Sequence, residues 1–447
     1  MIIESPNVIG TSSSTVSTAG SWLPLATPDT RAAALDAVAD IARAAPSHVI
    51  RNDDGTLDLS FGSGAAGVAL FLHYAARALD DPDAHAACID LLGQALGGLH
   101  VMPRTGLFGG YAGVAWAVSH LQQRGVEELD DIDLAVIDTT IEKVLGQVPW
   151  PDDYDLVSGL VGLGVYGLER MYQGAGEGIV AAVVNRLAEM VEWMGNGLVA
   201  WFHPPWLVPS SYRDSFPEGW YNLGVAHGVP GVLAFLARAA HNEVRRETAT
   251  RLLAAGARWT CTQVRVEAPD DVRLGYRVDP KAPRAPSAAS RDAWCYGAPG
   301  AAIALLAAAR VLGEEPIATC ALSLARTAAR HDPAEAGTID ASLCHGTAGL
   351  AHLYARLYAA TEEAAFADAA RRWMAHTLAW RAPGEGVGGF SYRFSKDGQP
   401  IWVQGSNFLE GAAGIGLVLL AMCSPEPPSW DRVVLVDPLV PLHHPAR

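Results

Sequence analysis

Two cysteines and a histidine stand at matching places in this chain, in Trp294-Cys295-Tyr296-Gly297 and in Cys344-His345-Gly346. Two thiolates and one imidazole form a soft donor set that suits Zn²⁺, and three protein ligands leave a fourth tetrahedral position open for water or substrate. A second group stands in the same phase. His227 directly precedes Gly228, as His345 precedes Gly346, and Asp155 lies four residues before Gly159. Such a pair can exchange and orient a proton. Arg291 and Tyr296 flank Cys295. Singly, each residue has a plainer use. Cysteine is commonly buried, a lone histidine can be a satisfied core residue, Asp155 suits a helix N-cap, Arg291 a surface charge and Tyr296 packing. Their shared register outweighs these separate readings.

The register comes from a repeat. Gly-x-x-Gly occurs at Gly64, Gly110, Gly159, Gly228, Gly297, Gly346 and Gly411, each time followed by an apolar, Ala/Leu-rich stretch such as Val232-Leu-Ala-Phe-Leu236 or Ile415-Gly-Leu-Val-Leu-Leu420. With 45 Gly in 447 residues, composition alone gives about 4.5 such pairs, so the context carries the signal. These stretches read as helices buried on most faces. Between them lie one-sided helices, marked by Leu35, Val38 and Ile41, by Leu134, Ile137, Ile141 and Val144, and by Phe366, Ala370, Trp373 and Met374. Seven buried helices alternating with amphipathic ones predict an all-α (α/α)₇ toroid, an inner ring enclosed by an outer one. Equivalent positions of adjacent repeats are then neighbours at one end. The two cysteine motifs converge there, with His227 and Asp155 facing them.

The barrel is expected over residues 26–423, after a Ser/Thr-rich, disordered start (1–25) and before a Pro-rich tail (424–447). Insertions at 196–221 and 266–290 interrupt the spacing. Residues 388–403 predict a hairpin around Asp397-Gly398. The net charge of −16, with no Lys/Arg cluster, argues against nucleic acid and anionic membrane surfaces. The six cysteines are too scattered for a secreted disulfide framework, and Cys88, Cys261, Cys320 and Cys423 are expected in the core. The first residues, Met1-Ile-Ile-Glu-Ser-Pro6, lack the basic region and apolar stretch expected of a signal peptide, and no apolar run reaches the ~18 residues of a membrane span. A cytoplasmic protein is expected, with membrane association only through a biosynthetic complex.

Repeats carrying Ala226-His227-Gly228, Trp294-Cys295-Tyr296-Gly297 and Cys344-His345-Gly346 in that order resemble the lanthionine synthetase C-like family, the lanthipeptide cyclases, over roughly residues 30–423. The resemblance implies one zinc ion on Cys295, Cys344 and His345, with His227 as acid/base, Asp155 as its partner, and Arg291 and Tyr296 in the site. It implies a standalone cyclase that adds peptide Cys thiols to dehydroalanine or dehydrobutyrine. The substrate would be a dehydrated precursor peptide, and a dehydratase a further partner. Two alternatives stand beside it: a family member that binds rather than cyclises or that joins glutathione or another thiol to dehydrated proteins, and another zinc thiol-alkylating enzyme such as a prenyltransferase. Seven repeats and a Cys-Cys-His set weigh against the latter.

Overall fold

A computed structural model of the protein describes residues 22–268, 271–282, 290–396 and 398–437. Each Gly-x-x-Gly opens an inner helix: Ala65–Leu79, Tyr111–Gln123, Leu160–Met171, Val229–His241, Ala298–Leu312, Thr347–Thr361 and Ala412–Cys423. In all seven the N-cap is the first glycine of the pair. Each inner helix packs on the next, and the seventh packs on the first. Seven amphipathic helices surround them: Pro28–Ala44, Pro82–Gly97, Ala135–Leu145, Glu177–Met190, Arg246–Thr262, Glu315–Ala328 and Ala364–Ala379. The fold is an (α/α) toroid.

A chain of backbone hydrogen bonds links the loops that lead into the inner helices, the mouths of the repeats. Gly62 N donates to Phe108 O, Phe108 N to Val157 O, Leu156 N to Ala226 O, and Ala226 N to Cys295 O. Cys295 N donates to Cys344 O, Cys344 N to Leu409 O, and Phe408 N to Gly62 O, which closes the ring. All seven mouths therefore share one end. The second glycine of each pair is required by this packing. A Cβ on Gly113 or Gly349 would collide with the carbonyl of Leu107 or Leu343, and the other five second glycines meet the same obstacle six residues upstream. The axis is filled rather than open: Phe61, Phe108, Trp294 and Phe408 meet there edge-to-face or tilted, at centroid distances of 4.8–6.4 Å.

The opposite end is closed by residues after Ser424. A short 3₁₀ helix, Trp430–Val434, drops Trp430 and Asp431 into the core. Asp431 accepts hydrogen bonds from Arg356 (2.6 and 2.8 Å) and pairs with His352 at 2.7 Å. Arg432 donates to Glu169, and Arg238 pairs with Asp437. The segment expected as a Pro-rich tail is thus a plug tied to several inner helices as far as Asp437; the rest of it lies outside the described residues. Of the expected disordered start, residues 1–21 also lie outside them, while Trp22 and Leu25 are buried.

The insertions form small antiparallel pairs. Val191–Gly195 pairs with Leu198–Trp201, Tyr221–Asn222 with Arg277–Val278, Arg265–Ala268 with Asp271–Arg273, and Tyr392–Lys396 with Gln399–Val403. The last is the hairpin expected around Gly398. Cys88 and Cys423 are buried, but Cys261 and Cys320 are only half-buried. Both lie on outer helices at the margin of the core, packed against it rather than enclosed by it. No helix among the described residues is long and apolar enough to cross a membrane.

Candidate metal centre and the neighbouring histidine–aspartate pair

Cys295 and Cys344 hold the second position before the first glycine in the fifth and sixth mouths, and the ring hydrogen bond joins their backbones. Their sulfurs and a His345 ring nitrogen all lie within 4.8 Å of one another, the one such His/Cys/Asp/Glu group among the described residues. Donors on a tetrahedral zinc at 2.0–2.3 Å stand roughly 3.3–3.8 Å apart, so a small closure would seat an ion. The donor chemistry agrees. Without a metal the two thiols compete for one proton: hydrogen bonding from Cys344 pulls Cys295 well below the ordinary thiol range, and Cys295 pushes Cys344 well above it. A divalent cation would remove that conflict by favouring both thiolates.

Asp155 is buried, and its two oxygens do different things. Oδ1 accepts the backbone N–H groups of Ser158 (2.7 Å) and Gly159 (2.8 Å), bracing the turn ahead of the helix, whose N-cap is Gly159 itself. Oδ2 accepts from His227 Nδ1 at 2.5 Å. The N-cap use of Asp155 is therefore not seen: the carboxylate holds the turn with one oxygen and His227 with the other. Partial desolvation lowers the pKa of His227, but the hydrogen bond and charge of Asp155 outweigh it and leave His227 above its ordinary value. Burial raises Asp155, and His227 with the Ser158 N–H brings it below its own. The His227 side chain is 43% exposed, at the open end.

Tyr296 lies beside His227, with ring centroids 6.4 Å apart. Its hydroxyl accepts from Asn222 Nδ2 at 2.9 Å, and burial pushes its pKa up to about 12. Arg291 stands at the rim, lining a cavity of about 340 Å³ with Tyr276, Ser290 and Glu335. Its positive charge acts on the cluster and helps to lower Cys295. The structure thus gathers all seven expected residues at one end, Arg291 less closely than the others.

Three participants escape the sequence reading. Glu410 holds the place of His345 in the seventh mouth, where burial raises its carboxyl pKa in the field of Cys295 and His345. The register could have found it. Asn222 and the His203–Asp153 pair (3.1 Å) could not be foreseen, because they depend on how an insertion folds back. Asp153 also accepts the Asp155 N–H, so His203 braces the turn that carries the carboxylate.

Comparison with known proteins agrees with this picture. Residues 55–435 match the family model described as lanthionine synthetase C-like protein. A curated relative, the nisin biosynthesis protein NisC of Lactococcus lactis subsp. lactis, is 24% identical over 258 residues, which are 55% of this chain and 60% of the relative's length. A solved structure titled nisin cyclase superposes with a TM-score of 0.68 at 20% identity, covering 85% of this chain and 92% of that one. At that identity the superposition speaks for the fold, and the family match spans most of the sequence. The chain belongs to the lanthionine synthetase C-like family.

Proposed function

We propose that the protein is a zinc-dependent lanthipeptide cyclase, which closes thioether rings by adding peptide Cys thiols to dehydroalanine or dehydrobutyrine in a dehydrated precursor peptide. The observation that carries this reading is the juxtaposition of a Cys295/Cys344/His345 donor set and the hydrogen-bonded His227–Asp155 dyad at one end of the toroid. The family membership and the names of the relatives support it. A zinc ion held by the three donors would supply a Lewis acid whose open position keeps a thiol deprotonated at neutral pH.

The remaining chemistry falls to side chains. The substrate sulfur forms a bond to the β-carbon of the dehydro residue, and the alkene electron pair moves onto the adjoining carbonyl as an enolate. That charge faces Arg291 and the inner-helix N-termini, whose N–H groups favour anions. With Nδ1 committed to Asp155, Nε2 is the nitrogen of His227 that exchanges a proton, delivering it to the α-carbon. The product has the mass of the substrate.

The test is to incubate the purified protein with a dehydrated Cys-containing peptide and follow free thiols and mass together. Thiol loss at constant mass, abolished by a chelator and restored by Zn²⁺, is the expected result. Mass gain by glutathione when it is added would favour the intermolecular alternative, and no thiol loss at all would refute both.

A further inference from the structure

The insertion at 196–221 closes three aromatic rings around an arginine. The guanidinium carbon of Arg277 lies 3.7 Å from the ring centroid of Phe216, 5.1 Å from that of Trp220 and 5.3 Å from that of Tyr212. Such contacts hold the cation by its flat faces and leave the N–H donors along its edge unspent. Among the described residues Arg277 makes these ring contacts but no hydrogen bond or ion pair. Two other arginines show what is missing. Arg356 lies over Trp22 at 4.9 Å and Arg432 over Tyr172 at 4.1 Å, and each also holds a carboxylate, Asp431 and Glu169. Arg277 has the ring half of that arrangement without the anion. Burial lowers its pKa, and the groups acting on its charge are the hydroxyls of Tyr212, Tyr296 and Tyr276, with no carboxylate among them.

Its place is beside the candidate site. Arg277 stands directly across a strand pair from Asn222, whose amide donates to the Tyr296 hydroxyl at 2.9 Å. The preceding residue, Tyr276, packs edge-on against Tyr296 at 5.7 Å and lines the cavity of about 340 Å³ to which Arg291 belongs. Ser290, on the wall of that cavity, has a buried hydroxyl with no hydrogen-bond partner among the described residues. An unpaired cation and an unspent hydroxyl thus border the approach to Tyr296 and Cys295. The fixed anions of a peptide are carboxylates, planar groups that match the guanidinium fork.

We propose that Arg277 is a specificity-determining residue, which takes a carboxylate of the substrate peptide in a forked pair of hydrogen bonds beside Tyr296. The proposal rests on the cyclase reading and names a feature of the peptide that is selected. Two fluorescently labelled dehydrated peptides of one sequence test it. One keeps its carboxylates; the other has Asn and Gln for Asp and Glu, and an amidated C-terminus. Affinity by anisotropy, and KM and kcat for thiol loss, are measured with full-length, zinc-loaded wild type, Arg277→Met and Arg277→Lys. Wild type should favour the acidic peptide about three- to tenfold, the preference falling on KM. Arg277→Met, whose apolar stem still fills the cage, should bring the ratio to one or below. Equal handling of both peptides by the wild type would overturn the role of Arg277 while leaving the cyclase reading intact. An Arg277→Met protein that keeps the ratio would do the same, by showing the cage to be a structural clamp. Should thermal melts find Arg277→Met less stable, Arg277→Lys decides: it keeps a cation on the rings but lacks the fork, so the ratio should fall about twofold or more. An undiminished ratio in Arg277→Lys would overturn the forked grip. A wild-type protein that consumes no thiol with either peptide would remove the cyclase reading, and this role with it.

Discussion

His227 and Asp155 show how one hydrogen bond sets both the strength and the pH range of a site. His227 is held above its ordinary pKa and Asp155 below its own. The stabilisation from the histidine is complete below pH about 6.5 and fades as pH rises through the raised value; that from the aspartate is complete above about 3.8 and fades as pH falls through the lowered one. If protonated His227 supplies the α-carbon proton, activity declines on the alkaline side as His227 loses its charge. Asp155→Asn should move that alkaline limb to lower pH, toward the unperturbed imidazole value, and a pH–rate profile of the variant checks this. An unmoved limb would assign the titration to another group. His227→Ala should retain zinc and lose turnover by a factor of about 10²–10⁴, measured by metal analysis and single-turnover thiol loss; loss of zinc would place His227 among the ligands. These residues were legible because each sits at a fixed offset from a glycine pair. Glu410 stood at the same offset but was overlooked, since a carboxylate near a helix start is an ordinary sight without the structure around it.

At the scale of the element, the glycine pairs were readable because sterics leave no choice. The carbonyl six residues upstream occupies the space a Cβ would need, as Gly113 against Leu107 and Phe61 illustrates. Gly113→Ala should cost about 1–3 kcal/mol or more through forced displacement, read as a lower denaturant midpoint with the slope unchanged; a midpoint equal to the wild type would mean that the mouth yields. The hairpin Tyr392–Lys396 with Gln399–Val403 was readable from its alternation and turn. The strand Val191–Gly195 was not. It follows the helix Glu177–Met190 without a glycine or proline between them, so the local pattern continues while the pairing with Leu198–Trp201 decides the backbone. Asn222 joins the site through a similar non-local pairing, Tyr221–Asn222 with Arg277–Val278.

Across the whole molecule, the plug was the least readable part. Ser424-Pro-Glu-Pro-Pro428 has no period, and Asp431 and Arg432 look like surface charges until the toroid closes over them. Asp431 is the central anion. Burial raises its carboxyl, and Arg356 with His352 brings it down to about 2. Its stabilising contribution is therefore present above pH about 3.8 and lost as pH falls toward 2. Asp431→Ala leaves Arg356 buried without its counter-charge and should cost about 3–5 kcal/mol, measured by urea unfolding at neutral pH, with the wild-type advantage shrinking in acid. A cost below about 1 kcal/mol would show that the plug is dispensable. The other end carries a different lesson. Seven mouths joined by backbone hydrogen bonds make a hoop of constant circumference: widening one gap means stretching bonds all the way round. If the protein closes thioether rings as proposed, rings of different size are not accommodated by dilating the opening. Any such tolerance would come from the insertions, one of which brings Asn222 to Tyr296, so diversification of substrate choice is expected to rewrite those loops and leave the hoop alone.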